Sequence, residues 1–294
     1  GVSRLRNRDS VSSVGLLNSV KQAYFRIGIH AAPPGTLLYR VHRMLEAGSY
    51  LAQSGRRTQP VAENALYDQD GLRCIHNHDF MSDPAFVRAY QRGVQAASDY
   101  GWHWRVHVGL WAARLAARLP GDFVECGTNR GFLSSAIMKD LDWDKTGRRF
   151  YLLDTFSGLA ERYVSVEEKK DGVLERNRRE LDSGFYTTNV EAVRANFAEW
   201  KNVCIIVGAI PETLEQIDTQ CIAFLHIDLN CSPPEVAAIR HLWDRLTPGA
   251  PVLLDDYGGF GYEWQKIGMD AFATERGLSI LSLPTGQGLL IKPP

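Results

Sequence analysis

The chain predicts a doubly wound α/β domain with a mainly parallel sheet, and three observations carry that prediction. Beyond about residue 120, short apolar runs of strand length alternate with stretches of helical periodicity, the pattern of βαβ units. A sheet built from such units is covered by helices on both faces. The last two apolar runs, residues 278–283 and 288–292, are joined by Pro284-Thr285-Gly286-Gln287, a hairpin signal that requires one antiparallel strand at the end of the sheet.

Taken in order, the strands are expected at 123–126, 149–154, 203–207, 222–228 and 251–256, followed by the two hairpin strands. Together they make a seven-stranded, Rossmann-like sheet with a C-terminal antiparallel hairpin strand. Helices are expected between them at 131–141, from 188 to about 200 behind a Thr188-x-x-Glu191 capping box, at 211–217, at 233–246 and at 264–276. The stretch 157–187 is charged and irregular and reads as a lid-like insertion. Before residue 120 the pattern is helical. Residues 11–29 and 35–51 are helix candidates, Ser82-Asp83-Pro84 is a helix start with a polar cap and an early proline, and 102–119 is rich in Ala, Leu and Trp. The chain is therefore divided into an N-terminal helical segment, 1–82, and an α/β domain, 83–294.

Bulk properties narrow the function classes. A formal net charge of −1 over 294 residues does not indicate a nucleic-acid-binding surface. The cysteines Cys74, Cys126, Cys204, Cys221 and Cys231 are scattered, with no CxxC pair, so neither a disulfide framework nor a thiolate zinc site is indicated. No apolar run reaches the length of a membrane span and the start has no apolar leader, which makes a cytoplasmic setting the expectation.

Ligands of such sheets bind at the carboxyl ends of the strands, near the point where strand order reverses. The first strand ends at Glu125-Cys126-Gly127, with Gly131 opening the next helix. Glycine in this turn lets backbone approach a ligand, and the glutamate can accept from a ligand ammonium. The turn lacks the middle glycine that admits a pyrophosphate, which favours a cofactor without a diphosphate. The second strand ends at Asp154, placed to accept ribose hydroxyls, somewhat farther along than the roughly 20 residues usual for dinucleotide binders. The third ends at Val207-Gly208-Ala209-Ile210, a small-residue loop suited to an adenine face. The fourth ends at His226-Ile227-Asp228 and the fifth at Asp255-Asp256-Tyr257. If those strands are neighbours, three carboxylates meet, and a hard cation such as Mg²⁺ relieves their repulsion.

The ordered set resembles the class I S-adenosylmethionine (SAM)-dependent methyltransferases and, within them, the macrocin O-methyltransferase (TylF-like) family. The resemblance rests on Gly121-Asp-Phe-Val-Glu-Cys-Gly127 with Gly131, Leu153-Asp-Thr-Phe-Ser-Gly-Leu159, and Asn202-Val with Gly208-x-Ile-Pro-Glu-Thr-Leu214. It continues through Leu225-His-Ile-Asp228, Leu246-Thr-Pro-Gly249 and Asp255-Asp-Tyr257, so that it covers roughly residues 83–292. It implies Mg²⁺-assisted methylation of a hydroxyl, usually on a sugar of a natural product or glycan. It maps the metal ligands onto Asp228, Asp255 and Asp256, and SAM contacts onto Glu125, Gly127 and Asp154. Along the same strand ends the cofactor set extends to Thr128, Gly131, Ser134, Thr155, Ser157, Gly208, Ala209, Ile210 and Asp228.

This chain departs from the family just after the fourth strand. Positions where members carry a second acidic residue or a histidine, both viewed as bases, hold Asn230 and Cys231. Asp228 is then the first candidate to accept the acceptor's proton. His226 is the second, because histidine titrates near neutrality; inside a strand it also reads as a hydrogen-bonded core residue. Tyr257 and Tyr262 could line the acceptor pocket. The Trp102-His-Trp104-Arg-x-His107 cluster could stack on a sugar, or simply pack a helix on the sheet. The expected partners are a small-molecule or glycan acceptor and, by analogy with the family, a second copy of the chain through residues 1–82. Two competing readings are a nicotinamide-dependent oxidoreductase and a non-catalytic SAM-binding protein.

Overall fold

The computed structural model describes residues 66–294. The expected helices at 11–29 and 35–51 lie outside the described residues. The chain divides into two compact units, residues 1–68 with 73–77, and residues 69–72 with 78–294. Of the first, the described part is the outer portion of a short hairpin of β1 (Tyr67–Gln69) and β2 (Leu72–Cys74).

The second unit is the α/β domain. Its sheet comprises β3 (Asp122–Cys126), β4 (Phe150–Asp154), β5 (Val203–Val207), β6 (Ile222–Ile227), β7 (Pro251–Leu254), β8 (Leu281–Ser282) and β9 (Gly288–Ile291). The strand order is β5-β4-β3-β6-β7-β9-β8, with every pair parallel except β7–β9 and β8–β9. The seven strands and the antiparallel hairpin are as expected from sequence. Strand order reverses between β3 and β6, so the crevice between their carboxyl ends is where a ligand belongs.

Helices α1 (Pro84–Ala96), α2 (His103–Ala116), α3 (Phe132–Asp140) and α6 (Val190–Phe197) cover one face; α7 (Ser232–Leu242) and α8 (Glu263–Thr274) cover the other. Alternation along the strands feeds both layers. Phe123, Phe150, Leu152 and Phe224 pack with Phe86, Leu110, Phe132 and Ile137, while Val124, Tyr151, Leu153 and Leu225 pack with Ile239, Leu242, Met269 and Phe272. The start of α1 follows its sequence signal: Asp83 accepts from the Ala85 N–H at 2.9 Å, with Pro84 in the first turn.

Four local expectations change, the first being the helix expected at 211–217, which is a single 3-10 turn, Leu214–Gln216. The cap of α6 is Asn189, whose side chain accepts from Ala192 N at 3.0 Å, so the box expected at Thr188 and Glu191 does not form. The insertion is not irregular: it holds α4 (Val166–Lys170) and α5 (Val173–Asp182), and the reciprocal capping box of the chain is here, between Ser165 and Glu168. The edge strand β8 shrinks to two residues, because Leu278 and Ile280 turn inward against the core instead of pairing. Among the described residues, no helix is long and apolar enough to cross a membrane.

Candidate active site

The carboxyl ends of the five parallel strands β3 to β7 open into one cleft of about 430 Å³, within the range usual for small-molecule sites. Its floor is the β3–β6 crevice. Gly127 makes that crevice possible: it follows β3 at φ +96°, and a side chain there would collide with the carbonyl oxygen of Asp228. The Gly127 and Thr128 N–H groups are turned back onto the Leu153 carbonyl, at 2.8 and 3.3 Å.

Glu125 lies inside β3 and is 2% exposed. Its Oε1 is 3.0 Å from His226 Nδ1, while Oε2 is buried without a partner and belongs to the cleft lining. A carboxylate oxygen stripped of water and left unpaired is costly, so a cationic donor in the cleft is its natural complement. The Thr128 hydroxyl is likewise buried and unpaired at the cleft wall. Asp154, at the end of β4, accepts from Asn129 N and Phe156 N, each at 2.7 Å. These bonds fix the carboxylate across the loop; each oxygen keeps a second lone pair for a ligand. Burial nonetheless raises its pKa above the ordinary carboxylate value. Thr155, Gly208, Ala209 and Ile210 continue the wall.

At the other end of the cleft, β6 and β7 are paired in parallel with Ile227 opposite Leu254, which brings Asp228 beside Asp255 and Asp256. Each offers an oxygen within 4.8 Å of the others. Burial and the neighbouring charges of Asp255 and Asp256 push the Asp228 carboxyl well up; burial and Asp255 push Asp256 up to about 7. Asp255 goes the other way. Burial opposes its ionisation, but Arg105 and His226 outweigh burial and hold it below the usual range.

Arg105, on α2, donates from Nη1 to Asp255 Oδ2 at 2.6 Å and to the Asp255 carbonyl at 2.9 Å, and from Nε to Asp70 Oδ2 at 3.1 Å. Gln287, from the closing hairpin, donates to Asp255 Oδ1 at 3.1 Å. His226 sits between the two ends of the cleft. Its Nε2 lies 3.5 Å from Asp255 Oδ1, an ion-pair separation without hydrogen-bond alignment. Burial disfavours its charge, yet Asp255 and Glu125 prevail and its pKa is pushed up to about 10. The two carboxylates thus favour its protonated form.

The donor set fits a divalent cation. Arg105 and His226 face Asp70, Asp228, Asp255, Asp256 and Glu125, so negative charge remains in excess. Asp256 and the second oxygen of Asp228 are not consumed by hydrogen bonds among the described residues, whereas Asp255 is the most heavily engaged of the three. Hard carboxylate oxygens of this kind suit Mg²⁺.

The remaining expected residues fall as follows. Gly131, Ser134 and Ser157 do not line the cleft: Gly131 N-caps α3 at φ +81°, Ser134 is buried within that helix, and Ser157 is exposed. Tyr262 lines the cleft; Tyr257 is buried against the core instead. Asn230 turns back, at φ +58°, to donate to Asp228 Oδ1 at 3.0 Å, and Cys231 is buried with its thiol pushed up by burial. Neither can take a proton from an alcohol. Sequence reasoning passed over Asp70, Arg105, Arg176 and Gln287. The tryptophan-rich cluster signalled that α2 packs on the sheet, but not that Arg105 reaches beyond β7 from it.

A parallel sheet with its reversal at β3–β6, one antiparallel closing strand and acidic strand ends defines the α/β methyltransferase fold. The chain belongs to the macrocin-O-methyltransferase (TylF) family, which residues 111–279 match. It is 30% identical over 151 residues to the 8-demethyl-8-(2,3-dimethoxy-alpha-L-rhamnosyl)-tetracenomycin-C 4'-O-methyltransferase of Streptomyces olivaceus, a match covering 49% of this chain and 55% of that protein. The chain thus spans about half the length of this curated relative. The O-methyltransferase NovP shares the fold at a TM-score of 0.56 and 19% identity, over 65% of this chain and 80% of that one. The calicheamicin methyltransferase CalS11 does so at 0.51 and 16%, over 76% and 96%.

Proposed function

We propose that the protein is a SAM-dependent O-methyltransferase that methylates a hydroxyl on the sugar of a natural product, assisted by Mg²⁺. One observation carries the reading: the unpaired Glu125 Oε2 and the Asp228–Asp255–Asp256 cluster share a single cleft, bridged by His226. Family membership and the rhamnosyl acceptor in the relative's name support the substrate class.

SAM, when bound, supplies a methyl group already activated by its sulfonium, so that the protein mainly aligns the reactants. Mg²⁺, when bound, supplies Lewis acidity that eases loss of the acceptor's proton. Glu125 Oε2 would receive the cofactor's ammonium, Asp154 would accept from its ribose, and Gly208 to Ile210 would form the wall beside its adenine. Asp228, Asp255 and Asp256 would hold the metal, with Arg105 and Gln287 fixing Asp255. We assign Asp228 as the proton acceptor, since Asn230 and Cys231 cannot act and His226 is engaged between Glu125 and Asp255. The role of His226 is to hold Glu125 and Asp255 in place.

Calorimetric titration should show micromolar or tighter binding of S-adenosylhomocysteine and none of NADH; the reverse result refutes the reading. Methyl transfer to rhamnosides should stop with EDTA and return with Mg²⁺. Transfer indifferent to EDTA and to Asp256→Asn would remove the metal while leaving the enzyme.

A further inference from the structure

Arg176 is the cleft residue for which the methyl-transfer reading gives no task. It lies on α5 of the insertion, where it lines the cleft together with Asn177 and with Glu180 one turn on. Its guanidinium is fixed in place. Nη1 donates to the Gly261 carbonyl at 3.1 Å, and the group lies over the Tyr262 ring, 4.2 Å from its centroid. Nη2 is buried and has no partner. Among the described residues lining the cleft, His226 Nε2 is also buried without a hydrogen bond, but it faces Asp255 Oδ1 at 3.5 Å, whereas no carboxylate lies within ion-pair distance of Arg176 Nη2. A planar fork held by stacking and one hydrogen bond, with its other arm unpaired, is preorganised for an oxygen that a ligand brings.

Its location identifies which ligand. Gly261 and Tyr262, which hold Arg176, belong to the loop that follows Asp255 and Asp256, where the Gly259 N–H donates to the Asp256 carbonyl at 3.0 Å. Arg176 is therefore held against the loop of the carboxylate end, where the methyltransferase reading puts the acceptor. The same walls carry Asp228, Asp256 and Glu180. With Asp228 and Asp256 given to the metal, Glu180 remains one turn from Arg176 to disfavour a phosphate or carboxylate on the acceptor, whereas a neutral oxygen meets no such repulsion.

We propose that Arg176 Nη2 donates a hydrogen bond to the oxygen on the sugar carbon adjacent to the one methylated, so that the enzyme selects sugars with oxygen at two neighbouring carbons. A hydroxyl and a methyl ether both satisfy a donor of this kind, because only a lone pair is required. The proposal rests on the methyltransferase reading above.

The test uses the full chain with SAM and Mg²⁺, methyl α-L-rhamnoside, and its monodeoxy analogues at the carbons flanking the methylated one. Wild type should lose roughly 10- to 100-fold in kcat/KM on the analogue lacking the neighbouring oxygen. In Arg176→Met that penalty should vanish, with S-adenosylhomocysteine affinity and melting temperature unchanged. Arg176→Lys, which keeps the charge without the fork, should retain part of it. An equal penalty in Arg176→Met overturns the proposal, as does a wild type indifferent to the deoxygenation. A variant whose S-adenosylhomocysteine affinity falls tenfold would place Arg176 on the cofactor, which also overturns it. A wild type that binds S-adenosylhomocysteine but methylates no rhamnoside overturns the parent reading, and this one with it.

Discussion

The two ends of the cleft are built from different materials. At the Glu125 end, the wall is backbone and short loops: Gly127-Thr128, Thr155 and Gly208-Ala209-Ile210, each directly after the strand that positions it. At the Asp228 end, the carboxylates are held by polar side chains from elements remote in sequence. Asp70 comes from the hairpin turn, Arg105 from α2, Asp255 from beyond β7 and Gln287 from the turn before β9. A turn that serves as a cradle needs only local geometry. A charged cluster needs its partners delivered by the whole fold, because a buried charge without a partner is destabilising by several kcal/mol.

Substitutions at the junction of the two ends should have the largest effect. Gly127→Ala must place a side chain at φ +96° against the Asp228 carbonyl. It should cost about 5 kcal/mol, lower the melting temperature by more than about 10 °C, and weaken both S-adenosylhomocysteine and metal binding. A soluble variant with wild-type melting would show that the crevice is not as tight as it is drawn.

Arg105→Met breaks one end only. It leaves half-buried Asp70 without its cation and Asp255 with only Gln287 and His226, for a loss of about 3–4 kcal/mol. Added Mg²⁺ should restore more stability to the variant than to wild type, as a replacement cation would. S-adenosylhomocysteine affinity should stay within about threefold; a larger fall would mean that the two ends are not separable.

Glu125→Gln breaks the other end. Losing the charge opposite an ammonium should weaken S-adenosylhomocysteine by about 30-fold, near 2 kcal/mol. Mg²⁺ affinity, read by calorimetry, should hardly move. An unchanged S-adenosylhomocysteine affinity would deny Glu125 the role assigned to it.

The smallest effect is one of pH. Asp256 is pushed up to about 7, chiefly by burial and by Asp255. Below that value a proton competes with the metal, and above it the carboxylate is free. Mg²⁺ should therefore bind about tenfold more weakly at pH 6 than at pH 8. In Asp256→Asn the slope should flatten; a slope that survives belongs to another group.

The same contrast explains what could be read from the sequence. Asp228, Asp255 and Asp256 could be placed together only on the condition that their strands are parallel neighbours, which puts the strand ends side by side, and β6 and β7 meet that condition. Glu125 and Asp154 were legible for the same reason. Arg105 was not, since an arginine inside a tryptophan-rich amphipathic stretch carries no mark of reaching across β7. Nor was Arg176: the insertion reads as charged and irregular, and only its packing shows which of its arginines turns inward. The cap of α6 fell one residue past its best sequence match, to Asn189, because asparagine and threonine compete on nearly equal terms at that position.

The closing hairpin acts as an alignment gauge for the catalytic end. Gln287 reaches Asp255 only because β9 pairs with β7 in one register, Leu254 opposite Gly288. Side chains along a strand alternate between faces, so a slip of one residue would carry Gln287 to the far side of the sheet. Errors made at the rim of the molecule would then be felt at its chemical centre, and the glycines and proline that pin this turn would be selected for the alignment of a carboxylate rather than for the shape of the loop.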